Sequence, residues 1–229
     1  MTVAVDTWVV CNYNTGIWSY PAPQWPINSA LNVKARAYDN VGNFTETLTR
    51  NFVYDSTVPV SGIINPNAEY ESSLSQIAGT AVDPLPAGRT KSDLDKVRIY
   101  IIHSGDYWEG GGAGFSPGAK YHEVTPTAGN WQYTGITDSD YTDGETYEVR
   151  SVAVDLSGNV QPIISSYTFT YDATQATSTI TMPDSPAHSS LDTISGTAND
   201  PGTNPSGINK VQALLLFEWM NLIVLEACT

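Results

Sequence analysis

Four oxygen-bearing side chains follow strand-like runs of the sequence, and together they have the chemistry of a Ca²⁺ site. Asp83 and Asp155 end the second and sixth predicted strands of one repeat, and Asn159 follows in the next turn. Asp55 ends the last strand before that repeat. These strand ends should meet where the chain enters a two-sheet sandwich, and Ca²⁺ takes about six to eight hard oxygen ligands. The sequence predicts Ca²⁺ as the one cofactor, bound at the repeat junction by Asp55, Asp83, Asp155 and Asn159.

The same residues have a simpler interpretation as turn formers. Asp and Asn side chains readily accept hydrogen bonds from nearby backbone amides at strand ends. One residue can serve both purposes, so both interpretations stay open. Asp172 and Asp200 occupy the matching positions at the next junction.

Aromatic pairs give a second functional hypothesis. Trp108 with Tyr107, and Trp131 with Tyr133, could stack on sugar rings if they were exposed in a row. Alternate residues of a strand share a face, so Trp131 and Tyr133 point the same way. The pattern recurs at residues 18–20, which favours a structural core position over a carbohydrate platform.

The chain is predicted not to be an enzyme. The sequence contains no H-E-x-x-H or C-x-x-C pattern. His103, His122 and His188 stand in unrelated contexts. The glycine-rich run 110–114 has no following Lys-Ser/Thr pair, so a hairpin tip is the better interpretation than a phosphate-binding loop.

These candidate residues belong to an internal repeat. Four blocks recur in the same order at offsets of 117, 117, 116 and 113 residues. They are YDSTVPVSGIINP (54–66) and YDATQATSTITMP (171–183), IAGTAVDP (77–84) and ISGTANDP (194–201), AYDNVGN (37–43) and AVDLSGN (153–159), and WSY (18–20) and WQY (131–133). Repetition at a fixed period indicates tandem structural units.

The repeat register predicts three segments. Residues 1–57 form the C-terminal part of one repeat, 58–174 a complete repeat, and 175–229 the N-terminal part of a third. From about residue 213 the third segment becomes an atypical apolar tail, ALLLFEWMNLIVLEACT. With Glu218 and Asn221 inside it, this tail is too short for a membrane span.

The complete repeat is predicted to be an all-β sandwich. Seven strand signals separated by turn-rich text favour two packed antiparallel sheets. They are Gly62–Ile64, Ser75–Val82, Leu94–His103, Ala119–Val124, Asn130–Gly135, Thr146–Asp155 and Ser166–Tyr171. Tyr147, three residues after Gly144, is predicted to form a tyrosine corner whose hydroxyl bonds back to the backbone, and Leu31 occupies the matching position of the first segment.

The text TYEVRSVAVDLSGN, then a strand ending in YD-x-T, then I-x-G-T-A-x-D, resembles the bacterial immunoglobulin-like repeats of large surface and secreted proteins. Fibronectin type III and cadherin modules share this architecture, and the A-x-D-x-x-G-N string is similar to the junction ligands of cadherin repeats. The resemblance implies tandem immunoglobulin-like sandwiches that serve as spacers, adhesin stalks or accessory modules of secreted enzymes.

The charge composition limits the classes of binding partner that are expected. The 24 acidic and 10 basic residues give a formal net charge of −14, which disfavours nucleic acid and anionic membranes. No secretion signal is evident at the N-terminus, and a disulfide between Cys11 and Cys228 is not expected.

The sequence therefore predicts a non-catalytic structural spacer or adhesive stalk of a bacterial extracellular or cell-surface protein. The expected partners are neighbouring repeats and a cell-surface or glycan ligand, with no membrane span. The alternative is an accessory module, glycan-binding or spacing, of a secreted polysaccharide-degrading enzyme.

Overall fold

The structure, a computed structural model, describes residues 8–85, 87–217 and 222–224. These residues form strands and loops, with a single short 3₁₀ helix at Asp138–Asp140. The chain divides into two compact units. The first comprises the residues up to Thr57 together with Asp83–Asp93, and the second comprises Val58–Val82 and the residues from Leu94 onward. The predicted segments 1–57, 58–174 and 175–229 remain predictions.

The described part of the first unit contains three two-stranded antiparallel sheets. Their pairings are β1 with β2, β3 with β6, and β4 with β5. The strands are β1 (Asn12–Asn14), β2 (Ile17–Ser19), β3 (Ser29–Val33), β4 (Arg36–Tyr38), β5 (Phe44–Glu46) and β6 (Arg50–Tyr54).

The second unit contains fourteen described strands. Those of the complete repeat are β7 (Val60–Asn65), β8 (Tyr70–Glu71), β9 (Ile77–Val82), β10 (Leu94–His103), β11 (Asp106–Trp108), β12 (Phe115–Ser116), β13 (His122–Val124), β14 (Asn130–Tyr133), β15 (Thr146–Asp155) and β16 (Ser165–Tyr171). They are followed by β17 (Thr177–Met182), β18 (Ser195–Asn199), β19 (Leu215–Phe217) and β20 (Leu222–Val224).

The complete repeat is built from two sheets. One has the order β14-β9-β7, and the other has the order β12-β11-β10-β15-β16-β8, with β13 also paired to β10. Strand alternation sends every second side chain of β10 and β15 into the space between the sheets. Val97, Ile99 and Ile101 of β10 and Tyr147 and Val149 of β15 are accordingly buried. The result is a β-sandwich with its core between the two sheets.

Trp131 covers β9 at a glycine. A Cβ atom on Gly79 would lie 2.2 Å from the Trp131 ring and 2.0 Å from the Gly62 carbonyl oxygen, so no larger residue fits there. The Trp131 indole N–H donates to the Thr80 carbonyl at 3.0 Å. The ring is therefore fixed by both packing and a hydrogen bond.

All seven strands expected of the complete repeat are present. The fourth of them, predicted at Ala119–Val124, is shorter in the structure, where His122–Val124 pairs with β10. The short strands β8, β11 and β12 were not expected. The glycine-rich run 110–114 is the tip of the β11–β12 hairpin, as predicted.

The tyrosine-corner contact is confirmed. Tyr147 is buried, and the Thr142 backbone N–H donates to its hydroxyl oxygen at 2.7 Å. This contact ties the turn before β15 to the core of the sandwich.

The C-terminal segment reproduces the start of the repeat. β17 pairs with β18 as β7 pairs with β9, and both ladders have a register irregularity at the same place, between Ile63 and Asn65 and between Ile180 and Met182. In the apolar tail, β19 pairs with β20. Glu218, Asn221 and Cys228 lie outside the described residues. The expectation that Cys11 and Cys228 form no disulfide therefore stays a prediction. Among the described residues, none forms a helix of the length and apolarity that crossing a membrane requires.

Candidate functional site

The first joint, defined as Asn28, Asp55–Thr57 and Asp83–Asp93, is organised by a buried aspartate. Asp55 follows β6, and its Oδ1 accepts the Thr57 backbone N–H at 3.0 Å. Its Oδ2 accepts the Ser92 backbone N–H at 2.6 Å and the Ser92 hydroxyl at 2.8 Å. One carboxylate thus holds the linker on one side and the loop 83–93 on the other.

Asn28 holds the same linker from the turn before β3. This residue is buried and has a φ of 54°, in the left-handed region that Asn tolerates better than most residues. Its Nδ2 donates to the Thr57 hydroxyl, and its Oδ1 accepts the Ser56 backbone N–H at 3.4 Å. Its own carbonyl accepts the Thr90 backbone N–H at 2.9 Å. Asn28 therefore contacts both the linker and the loop.

The Asp55 carboxyl is ionised at neutral pH despite its burial. Burial raises the pKa of this group, but amide N–H donors from Thr57 and Ser92, the Ser92 hydroxyl and the Lys91 charge together hold its pKa below the usual value. A buried carboxylate is tolerated when its lone pairs are satisfied in this way.

The second joint, defined as Asp143–Gly144, Asp172–Thr174 and Asp200–Gly207, has the same design. Asp172 follows β16, and its Oδ2 accepts the Ser206 backbone N–H at 2.7 Å. Asp143 accepts the backbone N–H groups of Ala173 at 2.7 Å and Thr174 at 3.1 Å on Oδ1. Its Oδ2 accepts the Thr174 hydroxyl at 2.7 Å.

Hydrogen bonds to its carboxylate lower the pKa of Asp143. The Thr174 hydroxyl contributes most, followed by the Ala173 amide, and the Thr174 amide adds to them against a small opposing effect of burial. The Asn204 side chain also reaches this turn, donating to the Gly144 carbonyl at 2.9 Å. Gly144 has a φ of 78°, and a Cβ atom there would lie 2.1 Å from the Thr203 carbonyl oxygen.

The two joints share one hydrogen bond at matching positions of the repeat. Asp55 and Asp172 are 117 residues apart, and each accepts a serine N–H from the loop after the second strand of the following repeat. An amide side chain, Asn28, holds the linker in the first joint, and a carboxylate, Asp143, holds it in the second. The joint chemistry is therefore a repeated feature of the chain.

The structure brings the predicted metal ligands together in two pairs. In the first unit, carboxylate oxygens of Asp55 and Asp83 lie within 4.8 Å of each other, and both residues are buried. In the second unit, Asp155 accepts the Asn159 backbone N–H at 2.8 Å and the Asn159 side-chain N–H at 2.7 Å.

The Asp155–Asn159 pair is a repeated turn. Asp39 accepts the Asn43 backbone N–H at 2.8 Å and the Asn43 side-chain N–H at 2.7 Å, in the same D-x-x-G-N string. The turn-former interpretation is therefore confirmed for Asp155 and Asn159. The two turns differ in exposure, because Asp155 is buried and Asp39 is exposed.

The aromatic candidates at Trp108 and Trp131 are core residues. Both side chains are buried. The Trp108 indole N–H lies 3.2 Å from the Tyr133 hydroxyl and 3.1 Å from the Gly135 carbonyl oxygen. Core packing, the favoured interpretation of these two tryptophans, is confirmed.

Two of the three histidines, His103 and His122, stack on tyrosine rings. The His103 ring stacks on Tyr147 with centroids 4.8 Å apart, and the His122 ring stacks on Tyr133 at 4.7 Å. His122 Nε2 also lies 3.1 Å from the Trp108 carbonyl oxygen. Both rings pack against aromatic side chains at the edge of the core.

Sequence reasoning missed the residues that complete the joints, namely Asn28, Ser92, Asp143 and Ser206. Repeat alignment would not have paired Asn28 with Asp143, because the 116-residue offset of this region aligns Asn28 with Gly144. It also missed a buried polar network in the complete repeat. There Gln161 Oε1 accepts the Ser61 hydroxyl at 2.7 Å and the Ala153 N–H at 3.0 Å, and the hydroxyl oxygens of Ser61 and Ser151 lie 2.9 Å apart.

No protein-family model matches the chain, and no curated protein matches it. Among solved structures, one similar chain is described as a tetra-tandem repeat in the extending region of a large adhesion protein. The identity is 22% and the TM-score 0.37, over 77% of this chain and 40% of the other. This chain thus spans less than half of that neighbour, and a likeness of this strength assigns neither family nor function.

Proposed function

We propose that the chain is a non-catalytic part of a tandem array, in which immunoglobulin-like sandwiches act as a structural spacer or adhesive stalk of a bacterial extracellular or cell-surface protein. The observation that carries this proposal is the repeated joint. Asp55 after β6 and Asp172 after β16 are 117 residues apart, and each carboxylate accepts the backbone N–H of a serine. A spacer needs joints of defined geometry, and hydrogen bonds to a short linker restrict its conformations.

The test is the distance distribution across the second joint. Spin labels at Thr168 on β16 and Thr179 on β17, in a chain carrying Cys11→Ser and Cys228→Ser, report on this joint by pulsed electron paramagnetic resonance. We expect a narrow distribution that broadens in Asp143→Ala, because the linker amides lose their acceptor. Asp184→Ala, at an exposed aspartate outside the joint, is the matched control. A broad distribution in the unsubstituted joint would contradict a spacer function.

The proposal includes Ca²⁺ at the repeat junction, with Asp55, Asp83, Asp155 and Asn159 as ligands. Its support is chemical. Asp55 and Asp83 place two buried carboxylates within 4.8 Å in the first unit, and like charges this close are mutually unfavourable unless a cation or hydrogen-bond donors offset them. Carboxylate and amide oxygens are the ligands that Ca²⁺ selects. The ion would supply positive charge and crosslink strand ends.

The accessory-module alternative remains a prediction. Its structural basis was an exposed aromatic platform, and the burial of Trp108 and Trp131 removes those two side chains from it. The spacer proposal is therefore the one that the described geometry favours.

A further inference from the structure

The outer face of the large sheet of the complete repeat carries three tyrosines in contact. Strand alternation, which buries the odd-numbered residues 97–101 of β10, places Tyr100 on the outer face. Tyr107 of β11 lies on that face too, because the next residue, Trp108, is buried in the core. The centroid of the Tyr100 ring is 6.3 Å from that of Tyr107 and 5.6 Å from that of Tyr121, which immediately precedes β13. These three residues are the tyrosine cluster.

Neighbouring side chains hold the cluster in place while part of it stays open. Ile102 lies on the same outer face, opposite Tyr107 in one ladder and Glu148 in the other, yet it is only 7% exposed. An outward isoleucine this well buried is covered by its neighbours on the face. The Arg98 guanidinium lies over the Tyr121 ring at 5.0 Å, and Tyr121 is 46% exposed. A ligand that packs on rings already fixed in this way causes little further loss of side-chain freedom.

The charged side chains around the cluster compensate one another. Glu123 accepts a hydrogen bond from Lys96 at 3.1 Å and from Arg98 at 3.4 Å. Arg150 donates from Nε and Nη2 to the two carboxylate oxygens of Glu148 at 2.7 and 2.8 Å. Each of these cations therefore has a carboxylate partner. The face suits an uncharged ligand, because a polyanion would find the guanidinium groups paired and would be repelled by the net charge of −14.

The face offers aromatic rings and hydrogen-bonding groups without exposed aliphatic side chains. Val152 and Val154, the other apolar residues on the outer side of β15, are buried, as is Ile102 of β10. A stable interface between proteins has an apolar centre, and the outward positions of these two strands do not provide one. A sugar ring complements both features, since its C–H groups pack on an aromatic ring and its hydroxyl groups bond to carboxylates and guanidinium groups.

We propose that the tyrosine cluster binds an uncharged oligosaccharide. Its sugar rings pack on Tyr100, Tyr107 and Tyr121, and its hydroxyl groups bond to the guanidinium groups of Arg98 and Arg150. Three separate rings can contact successive sugar units, so the ligand is a chain of sugars rather than a monosaccharide. The proposal goes beyond the spacer function, because the site uses none of the joint residues, and it gives the expected glycan partner a location on the complete repeat.

Isothermal titration calorimetry of the full 229-residue chain tests the binding. The probes are the linear hexasaccharides of glucose, mannose, xylose and galactose, with hexagalacturonate as an anionic chain of the same length. We expect at least one uncharged hexasaccharide to bind, more tightly than hexagalacturonate. Its affinity should fall about three- to tenfold in Tyr121→Ala, because one ring contact is lost. If no uncharged hexasaccharide binds, or if hexagalacturonate binds more tightly, the proposal is overturned.

Two variants separate ring contact from an effect on folding. Tyr121→Phe keeps the ring and should bind as the parent chain does. Tyr13→Ala, at an exposed tyrosine of the first unit, is the matched control and should also bind normally. Circular dichroism verifies that each variant is folded. An affinity that is unchanged in folded Tyr121→Ala would place the ligand on another surface and contradict the proposal.

Nuclear magnetic resonance locates the site. The bound hexasaccharide should shift the Nε–H signals of Arg98 and Arg150 and the amide signals of the tyrosine cluster, and leave the Thr174 amide of the second joint unchanged. Tyr121→Ala should not alter the distance distribution across that joint, so failure of glycan binding and failure of the spacer function are separate results. Self-association that Tyr121→Ala abolishes, without glycan binding, would assign this face to a protein contact instead.

Discussion

Trp131 and Trp18 occupy matching positions of the repeat, each in a W-x-Y string, yet one is buried and the other is half exposed. Trp131 packs on Gly79 and donates to Thr80 of the neighbouring strand. Among the described strands, Trp18 lies in the β1–β2 hairpin, opposite Tyr13. The comparison teaches that the same aromatic motif becomes core only where a glycine-bearing partner strand is present.

The largest effect is expected at this tryptophan pair. Trp131→Ala should lower the free energy of unfolding of the complete repeat by about 3–5 kcal/mol, because it removes a buried ring and leaves a cavity. Trp18→Ala should change it by less than about 0.5 kcal/mol, because about half of the Trp18 surface is already exposed. Urea denaturation followed by circular dichroism measures both. Similar losses in the two variants would contradict the assigned difference in packing.

A second comparison concerns the two D-x-x-G-N turns, which share hydrogen bonds but differ in burial of the aspartate. Adding Ca²⁺ at about ten to a hundred times its dissociation constant should stabilise the chain by about 1.4–2.7 kcal/mol if Asp155 is a ligand. Asp155→Ala should remove this increment, and Asp39→Ala, at the exposed turn, should keep it. Calorimetry with Ca²⁺ and with a chelator measures the increment. If millimolar Ca²⁺ does not stabilise the unsubstituted chain, the calcium proposal is wrong.

The smallest expected effect is a difference between the two joints in how their hydrogen bonds respond to acid. Because the folded-state pKa of Asp143 is lowered, its stabilising contribution is present above the unfolded value of about 3.9 and is lost as pH falls through the folded pKa. Asn28 does not titrate, so acidification should reach the first joint through Asp55, at the Thr57 and Ser92 amides. The Ala173 and Thr174 amide resonances should shift with the protonation of Asp143 in the second joint.

Asp143→Asn is the matched variant for this pH dependence. Its amide oxygen can still accept the Ala173 N–H, and its nitrogen can donate to the Thr174 hydroxyl as Asn28 donates to Thr57. The joint should persist while the acid transition at Ala173 and Thr174 disappears. An unchanged transition in this variant would assign it to another carboxylate.

Much of the fold was predictable because strand periodicity and turn residues are local signals. The seven strands and the β11–β12 hairpin tip were read from alternation and from glycine-rich text. Tyr147 was identifiable because the corner motif places it three residues after Gly144. The short strands β8, β11 and β12 could not be predicted, because a run of two or three residues shows no periodicity and its pairing depends on other strands.

The candidate site was only partly predictable for the same reason. Asp55, Asp155 and Asn159 stand next to strand ends and could be found from the sequence. Ser92 lies 37 residues from the carboxylate that it satisfies, and no local pattern predicts this contact.

The sequence by itself determined the repeat, its period and the positions of the acidic strand ends, because these follow from composition and spacing along the chain. The tertiary structure alone decided which copy of each motif is buried. Burial depends on a partner strand brought from far along the chain, as Gly79 is brought to Trp131 but not to Trp18.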